Sequence, residues 1–294
     1  MAAITDNQFD DLGNGIRLHY ASAGERGRPL MLFCHGFPEA WFEWEAQLAH
    51  FGDDHFAVAP DLRGFNLSSQ PPEVENYRAK LIVEDLRLLI ARLGYESAIV
   101  VAHDWGGAIA WNLAISTPTL VEKLVIVNSP HPYLFVRDLS SDSLQQRASE
   151  YMNWLRAPGS EKALAKDDFR LIDGFFEGRG QGAAHWYTPQ LRSRYHAMWS
   201  RGLAGGVNYY RASPLHPPKT GEGTGAIQMK PEDWTVRVPV RVIWGEADQA
   251  LLPRLLDGLD QVCPDLEVHR IPEGSHWVIH EQPERINRLI RSFL

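Results

Sequence analysis

The chain predicts an α/β fold: a mostly parallel sheet with helices on both faces and a helical insertion ahead of its last strands. Three observations carry this. Short apolar runs of strand type alternate with amphipathic stretches along residues 1–130 and again along 236–294. The alternation stops between them, across an aromatic, Arg-rich stretch from 131 to 235. Finally, Val101-Ala102-His103-Asp104-Trp105-Gly106-Gly107 turns a buried run abruptly into a helix-forming one, with a carboxylate at the bend.

In chain order, Gly13-Asn14-Gly15 between short apolar segments reads as a hairpin turn. Leu30–Cys34 and Phe56–Ala59 are short buried strands, with a helix from Trp41 to Phe51 between them. Ile82, Leu86, Leu89 and Leu93 fall on one helical face, and Gly94 follows as a C-cap. Ala98–Ala102 and Leu124–Val127 are strands flanking the helix after Asp104. The insertion ends in a Pro/Gly-rich surface loop, HPPKTGEGTG. Val240–Trp244 resumes strand character, a helix begins near Pro253, Leu266–Ile271 is a strand, and Pro283–Leu294 is the last helix.

Composition narrows the function class. The formal charge of −8 disfavours nucleic-acid binding. No apolar run approaches the ~18 residues a spanning helix needs, and the polar N-terminus lacks a signal-peptide layout. Cys34 and Cys263 read as buried thiols in a cytoplasmic protein. No His, Cys and carboxylate cluster has ligand spacing, so no metal and no cofactor is expected. Nothing in the sequence selects between a monomer and a homodimer.

A carboxylate at the edge of a core needs a reason. One is helix capping, for which Asp is well suited. The other is a nucleophile elbow, in which small residues on either side let a strained turn present a reactive side chain. Two later stretches favour the elbow. The run Val242–Trp244 leads into Gly245-Glu246-Ala247-Asp248, placing an acid at a strand end. The run Leu266–Ile271 leads into Pro272-Glu273-Gly274-Ser275-His276-Trp277. Nucleophile, acid and histidine thus follow in a known triad order, and the carboxyl ends of parallel strands can bring Asp104, Asp248 and His276 together.

Residues 35–44 (HGFPEAWFEW), 61–72 (DLRGFNLSSQPP), 103–107 (HDWGG), 245–253 (GEADQALLP) and 274–277 (GSHW) together resemble the soluble epoxide hydrolases of the α/β-hydrolase fold. The resemblance covers most of the chain and is weakest across 136–190 and 215–235. It implies a core of 1–130 and 236–294 carrying a helical lid of 131–235. It also implies a covalent route: Asp104 attacks an epoxide carbon, and water activated by His276 hydrolyses the resulting ester, with Asp248 orienting His276. The oxyanion of the second step would be held by the backbone N–H groups of Phe37 and Trp105, with a cis bond before Pro38. Ring opening needs an acid, and the family uses two lid tyrosines. Tyr151 matches the first. Tyr195 matches the second, and a short gap would put Tyr209 or Tyr210 of Asn208-Tyr209-Tyr210-Arg211 there instead.

His35, Pro38, Trp41, His103 and Tyr209 are expected around the substrate, Trp41 and Trp105 as apolar wall, His35 and His103 orienting loops. His131, Arg63 and Gly64 read as structural. The expected partners are an apolar epoxide and water. Haloalkane or haloacetate dehalogenases use the same Asp-His-Asp machinery. However, haloalkane dehalogenases carry Asn where this chain has Phe37, and haloacetate dehalogenases carry arginines where it has Trp105, Gly106, Gly107 and Ala108. A non-catalytic small-molecule-binding protein is the reading of another class.

Overall fold

The computed structural model describes residues 2–177, 185–218 and 229–294. Its centre is an eight-stranded sheet: β1 (Ile4–Asp11), β2 (Arg17–Ala23), β3 (Leu30–Cys34), β4 (Phe56–Pro60), β5 (Ala98–His103), β6 (Val121–Val127), β7 (Val240–Gly245) and β8 (Leu266–Ile271). The spatial order is β1-β2-β4-β3-β5-β6-β7-β8. β1 and β2 pair antiparallel, as do β2 and β4, and every pairing from β4 to β8 is parallel. The expected hairpin at Gly13–Gly15 joins β1 to β2.

Helices cover both faces of the parallel part, as such sheets require. α1 (Glu45–Phe51), preceded by a short 3₁₀ turn at Trp41–Trp44, α2 (Ala79–Leu93) and α3 (Asp104–Ser116) belong to the first half. Between β6 and β7 come α4 (Pro132–Ser141), α5 (Ser143–Ala148), α6 (Glu150–Leu155), α7 (Ser160–Leu164), α8 (Lys166–Phe176), α9 (Pro189–Trp199) and α10 (Ala204–Ala212). The chain closes with α11 (Val278–Glu281) and α12 (Pro283–Arg291). The helix expected near Pro253 is a single 3₁₀ turn, Pro253–Leu256. Most of the HPPKTGEGTG passage lies outside the described residues. No helix among the described residues is long and apolar enough to cross a membrane.

The strand order decides where a site can form. From β3 the chain steps to β4 on one side, then returns to lay β5 on the other. Loops leaving the carboxyl ends of β3 and β5 therefore diverge, and a crevice opens between them. β3 and β5 are buried along their whole length and pair in register, with Cys34 opposite Ala102. The next residues of the two strands, His35-Gly36-Phe37 and His103-Asp104, are thus brought side by side. Two glycines permit the approach. A Cβ on Gly106 would sit 2.3 Å from the Cys34 carbonyl oxygen, and one on Gly36 would sit 2.5 Å from the Asp104 Cβ.

Candidate functional site

Asp104 sits at the bend between β5 and α3 with φ at +46°, a left-handed conformation that costs a non-glycine residue energy. It does not cap α3; His103 holds the N-cap position, with no side-chain cap bond. The Asp104 carboxylate instead faces the β3 loop, where Oδ1 accepts a 2.8 Å hydrogen bond from the Phe37 N–H. The Phe37–Pro38 bond is cis. Ser129, just past β6, donates its hydroxyl to the Asp104 carbonyl oxygen at 2.7 Å and so pins the strained turn from behind.

Asp248 and His276 arrive from the loops after β7 and β8. His276 Nδ1 lies 2.7 Å from Asp248 Oδ2, and His276 Nε2 faces Asp104 Oδ2 at 3.7 Å. The second distance exceeds a direct hydrogen bond, so Nε2 is turned to the Asp104 carboxylate without being bonded to it. Asp248 is fully partnered: its Oδ1 accepts from the N–H groups of Ala250 and Leu251, and its Oδ2 from Asn128 Nδ2 at 2.9 Å. Burial opposes ionisation of Asp248, but the charge and hydrogen bond of His276, the Leu251 amide and Asn128 outweigh it and hold the carboxyl below its ordinary value. Burial likewise opposes protonation of His276, yet Asp248 and, further off, Asp104 raise its proton affinity despite nearby His103.

A cavity of about 520 Å³ opens over Asp104. Its wall is mostly apolar, with Trp105, Ile109, Phe135 and Met152 among the lining residues. Tyr151 and Tyr210 enter it from α6 and α10, their rings 6.2 Å apart and steeply inclined. Burial first, then the Asp104 and Asp248 charges, lift Tyr151 well above its ordinary range; burial, then Tyr151 and Asp104, lift Tyr210 likewise against an opposing hydrogen bond from Trp105, so both phenols keep their proton at neutral pH.

The tyrosine expected at position 195 lies elsewhere. Tyr195 is fully buried against Phe176 and Trp199, its hydroxyl donates to Glu39 at 2.5 Å, and it is not among the residues lining the cavity. Tyr209 lines the cavity with its ring, but its hydroxyl donates backwards to the Arg63 carbonyl at 2.9 Å. Tyr210, also of α10, lines the cavity with its phenol oxygen against the Trp105 side chain, itself a lining residue. Four further expectations of substrate contact are corrected in the same way. The His35 ring is engaged beneath the β3 loop, accepting from the Leu62 N–H at Nε2. The Pro38 carbonyl accepts from the Trp199 indole N–H. Trp41 packs on Phe42 and the Arg194 guanidinium. His103 lies behind His276, their rings 4.6 Å apart. None of these four lines the cavity. Sequence reasoning missed Asn128 and Ser129 altogether; their signal was a pair of polar residues closing the apolar run of β6.

The chain matches the model of the α/β-hydrolase fold family over residues 29–283. Epoxide hydrolase 3 of Mus musculus is 35% identical over 96% of this chain and 74% of its own. The AB hydrolase superfamily protein YfhM of Bacillus subtilis is 35% identical over 96% of this chain and 95% of its own. Among solved structures, a Bacillus megaterium epoxide hydrolase in complex with an inhibitor is 35% identical, covers 97% of this chain and 99% of its own, and superposes with a TM-score of 0.86. A strained aspartate under an apolar cavity, a histidine–aspartate pair beside it and this breadth of similarity agree: the chain belongs to the epoxide hydrolase family of the α/β-hydrolase fold.

Proposed function

We propose that the protein opens an apolar epoxide to a vicinal diol through an ester on Asp104. The observation that carries this is the pair of phenols, Tyr151 and Tyr210, that line the cavity over the Asp104 carboxylate; the Tyr210 oxygen meets the Trp105 side chain, whose indole N–H can only donate, so its own O–H is not spent there. A carboxylate that displaces at saturated carbon serves several leaving groups; two O–H donors serve one that departs as an alkoxide. Oδ2 of Asp104 attacks an epoxide carbon, the C–O bond of the ring breaks, and a phenol gives its proton to the oxygen. The product of this step is a hydroxyalkyl ester with nothing expelled. Oδ1 then becomes the ester carbonyl oxygen, already on the Phe37 N–H. His276 Nε2 takes a proton from water, and the hydroxide adds to the carboxyl carbon. Phe37 N–H, together with that of Trp105 in the first turn of α3, holds the oxyanion. Collapse expels the substrate oxygen, which takes the proton of the new carboxylic acid, so the diol leaves and Asp104 is a carboxylate again; the imidazolium proton returns to the tyrosinate.

The test is diol formation from a panel of aryl and alkyl epoxides, with halide release from haloalkanes and haloacetate measured alongside. Diols without halide are expected. Halide release alone would overturn the reading in favour of a dehalogenase, and tight binding without turnover would favour a binding protein.

The electrostatics also set a pH dependence. His276 must be neutral to accept a proton, so kcat falls on the acid side as His276 protonates. Asp248 raises that proton affinity. Asp248→Asn is therefore expected to move the acid limb of kcat to lower pH while lowering the plateau by about 10²- to 10⁴-fold. A limb that stays in place would show that another group sets it.

A further inference from the structure

Beneath the site lies a buried polar cluster that the proposed reaction does not use: Glu39, Glu43, His103 and His280, with Tyr195 at its edge. Glu39 and Glu43 are fully or almost fully buried, as is His103. The cluster has two halves. In one, Glu39 Oε1 accepts from Tyr195 and lies 2.6 Å from His280 Nε2, which ties α9 and α11 to the β3 loop. In the other, Glu43 Oε2 accepts from the Gly36 N–H at 3.1 Å, and Glu43 Oε1 lies 2.7 Å from His103 Nδ1. The far nitrogen of the same ring, His103 Nε2, is 3.0 Å from the His276 carbonyl oxygen.

This second half bridges the site, with a hydrogen bond at each end and, between them, a 2.7 Å ion-pair contact whose two atoms lack hydrogen-bond alignment. Gly36 precedes Phe37, whose N–H holds Asp104 Oδ1. His276 carries the nitrogen that faces Asp104 Oδ2. We propose that Glu43 and His103 are a positioning pair that fixes the Phe37 amide and the His276 ring relative to each other for hydrolysis of the ester. The His103 ring meets a carbonyl oxygen at Nε2 and, as an ion-pair contact without hydrogen-bond alignment, the Glu43 carboxylate at Nδ1, a setting that favours the ring protonated on both nitrogens. Burial opposes that charge, but Glu43 and Glu39 outweigh it and raise His103 well above its ordinary value. Burial and the Glu39 charge push Glu43 up to about 7, with the histidines opposing. The gap is too short for a tetrahedral metal ion. A tetrahedral ion with bonds of about 2.0–2.1 Å would hold its ligand atoms roughly 3.4 Å apart, whereas Glu43 and His103 stand 2.7 Å apart. The charged groups facing the pair are Glu39 and His280 from the first half of the cluster, and His276 and Asp104 from the site.

The inference rests on the two-step ester route and goes further by separating the steps. The Phe37 amide and His276 act together in ester hydrolysis, whereas the phenols assist alkylation. Loosening the pair is therefore expected to slow the second step selectively. Glu43→Gln, His103→Asn and the double variant would be compared with wild type by steady-state kinetics, intact-protein mass after rapid quench, and thermal unfolding. The expected result for each folded variant is a kcat lowered on the order of 10- to 100-fold. KM falls in step, kcat/KM is nearly unchanged, and the ester adduct accumulates. The double variant is expected to be no worse than the more damaged single one, as for groups acting as a unit. Should Glu43→Gln not fold, His103→Asn breaks the same bridge from its other end. Wild-type kcat in both single variants overturns the inference, as does a fall in kcat/KM without adduct. Wild type that makes neither diol nor adduct overturns the ester route itself, which keeps the two failures apart.

Discussion

His276→Gln is expected to stall at the ester, before its first turnover is complete, with the mass of the protein raised by the full mass of the epoxide. Asp104→Asn is expected to make neither adduct nor diol. The difference follows from where each group acts. In the proposed route Asp104 forms the bond to carbon, so its loss is expected to remove the first step and with it at least about 10⁴-fold of turnover. His276 stands 3.7 Å from the carboxylate and is paired with Asp248 at 2.7 Å, which equips it to deprotonate a water and leaves it no part in bond formation to the substrate. Its loss should cost about 10²- to 10⁴-fold in kcat, all of it after the ester has formed. The adduct mass carries a second message. Ring opening expels nothing, so an epoxide adds its whole mass, whereas a haloalkane would add its mass less the halogen and a proton. Intact-protein mass spectrometry after a quench reads all of this at once. A His276→Gln protein that never acquires mass would show that the histidine is needed for bond formation, and the assignment of roles would fall.

What the sequence made legible was the backbone logic of the site. The small residues flanking Asp104 mark a tight turn, and Gly106 is needed because the first turn of α3 runs against the Cys34 carbonyl. Strand ends are readable from apolar runs, so the residues just beyond β5, β7 and β8 were placed correctly at one edge of the sheet. The direction of a side chain within the insertion was not readable in the same way. Tyr195, Tyr209 and Tyr210 are all 4% exposed or less, and all lie in aromatic surroundings that a hydrophobic pattern cannot tell apart. Only partners separate them: Glu39 takes the first hydroxyl and the Arg63 carbonyl takes the second. Nearness in sequence misled for His35, Pro38 and Trp41. They follow β3 into the site's neighbourhood, but the loop turns their side chains and carbonyls toward Leu62, Trp199 and Arg194. Asn128 was invisible for a different reason. Its role depends on β6 lying between β5 and β7, which sets its amide against Asp248, and no local pattern encodes that neighbour.

The tyrosines divide sharply under substitution. Tyr151→Phe and Tyr210→Phe are each expected to lower kcat/KM for epoxides by about 10- to 100-fold, and the double variant by about 10²- to 10⁴-fold, within the range of general-acid catalysis. Each single loss is partial because the remaining phenol can still donate to the same oxygen. The double variant leaves the alkoxide without a donor in an apolar cavity, where water is a poor substitute. The defect should shrink for epoxides whose ring oxygen leaves as a more stabilised alkoxide, which a purely steric effect of the lost hydroxyls would not do. Tyr195→Phe makes the contrast. Its hydroxyl is bonded to Glu39 and stands outside the cavity, so kcat/KM should stay within a few-fold of wild type. The cost should instead appear in stability, about 1–3 kcal/mol, because a buried carboxylate loses a donor it cannot replace with water. Steady-state kinetics on the four variants and a denaturant melt of Tyr195→Phe decide the matter. A Tyr195→Phe protein of normal stability with collapsed turnover would return the acid to position 195 and remove it from Tyr210.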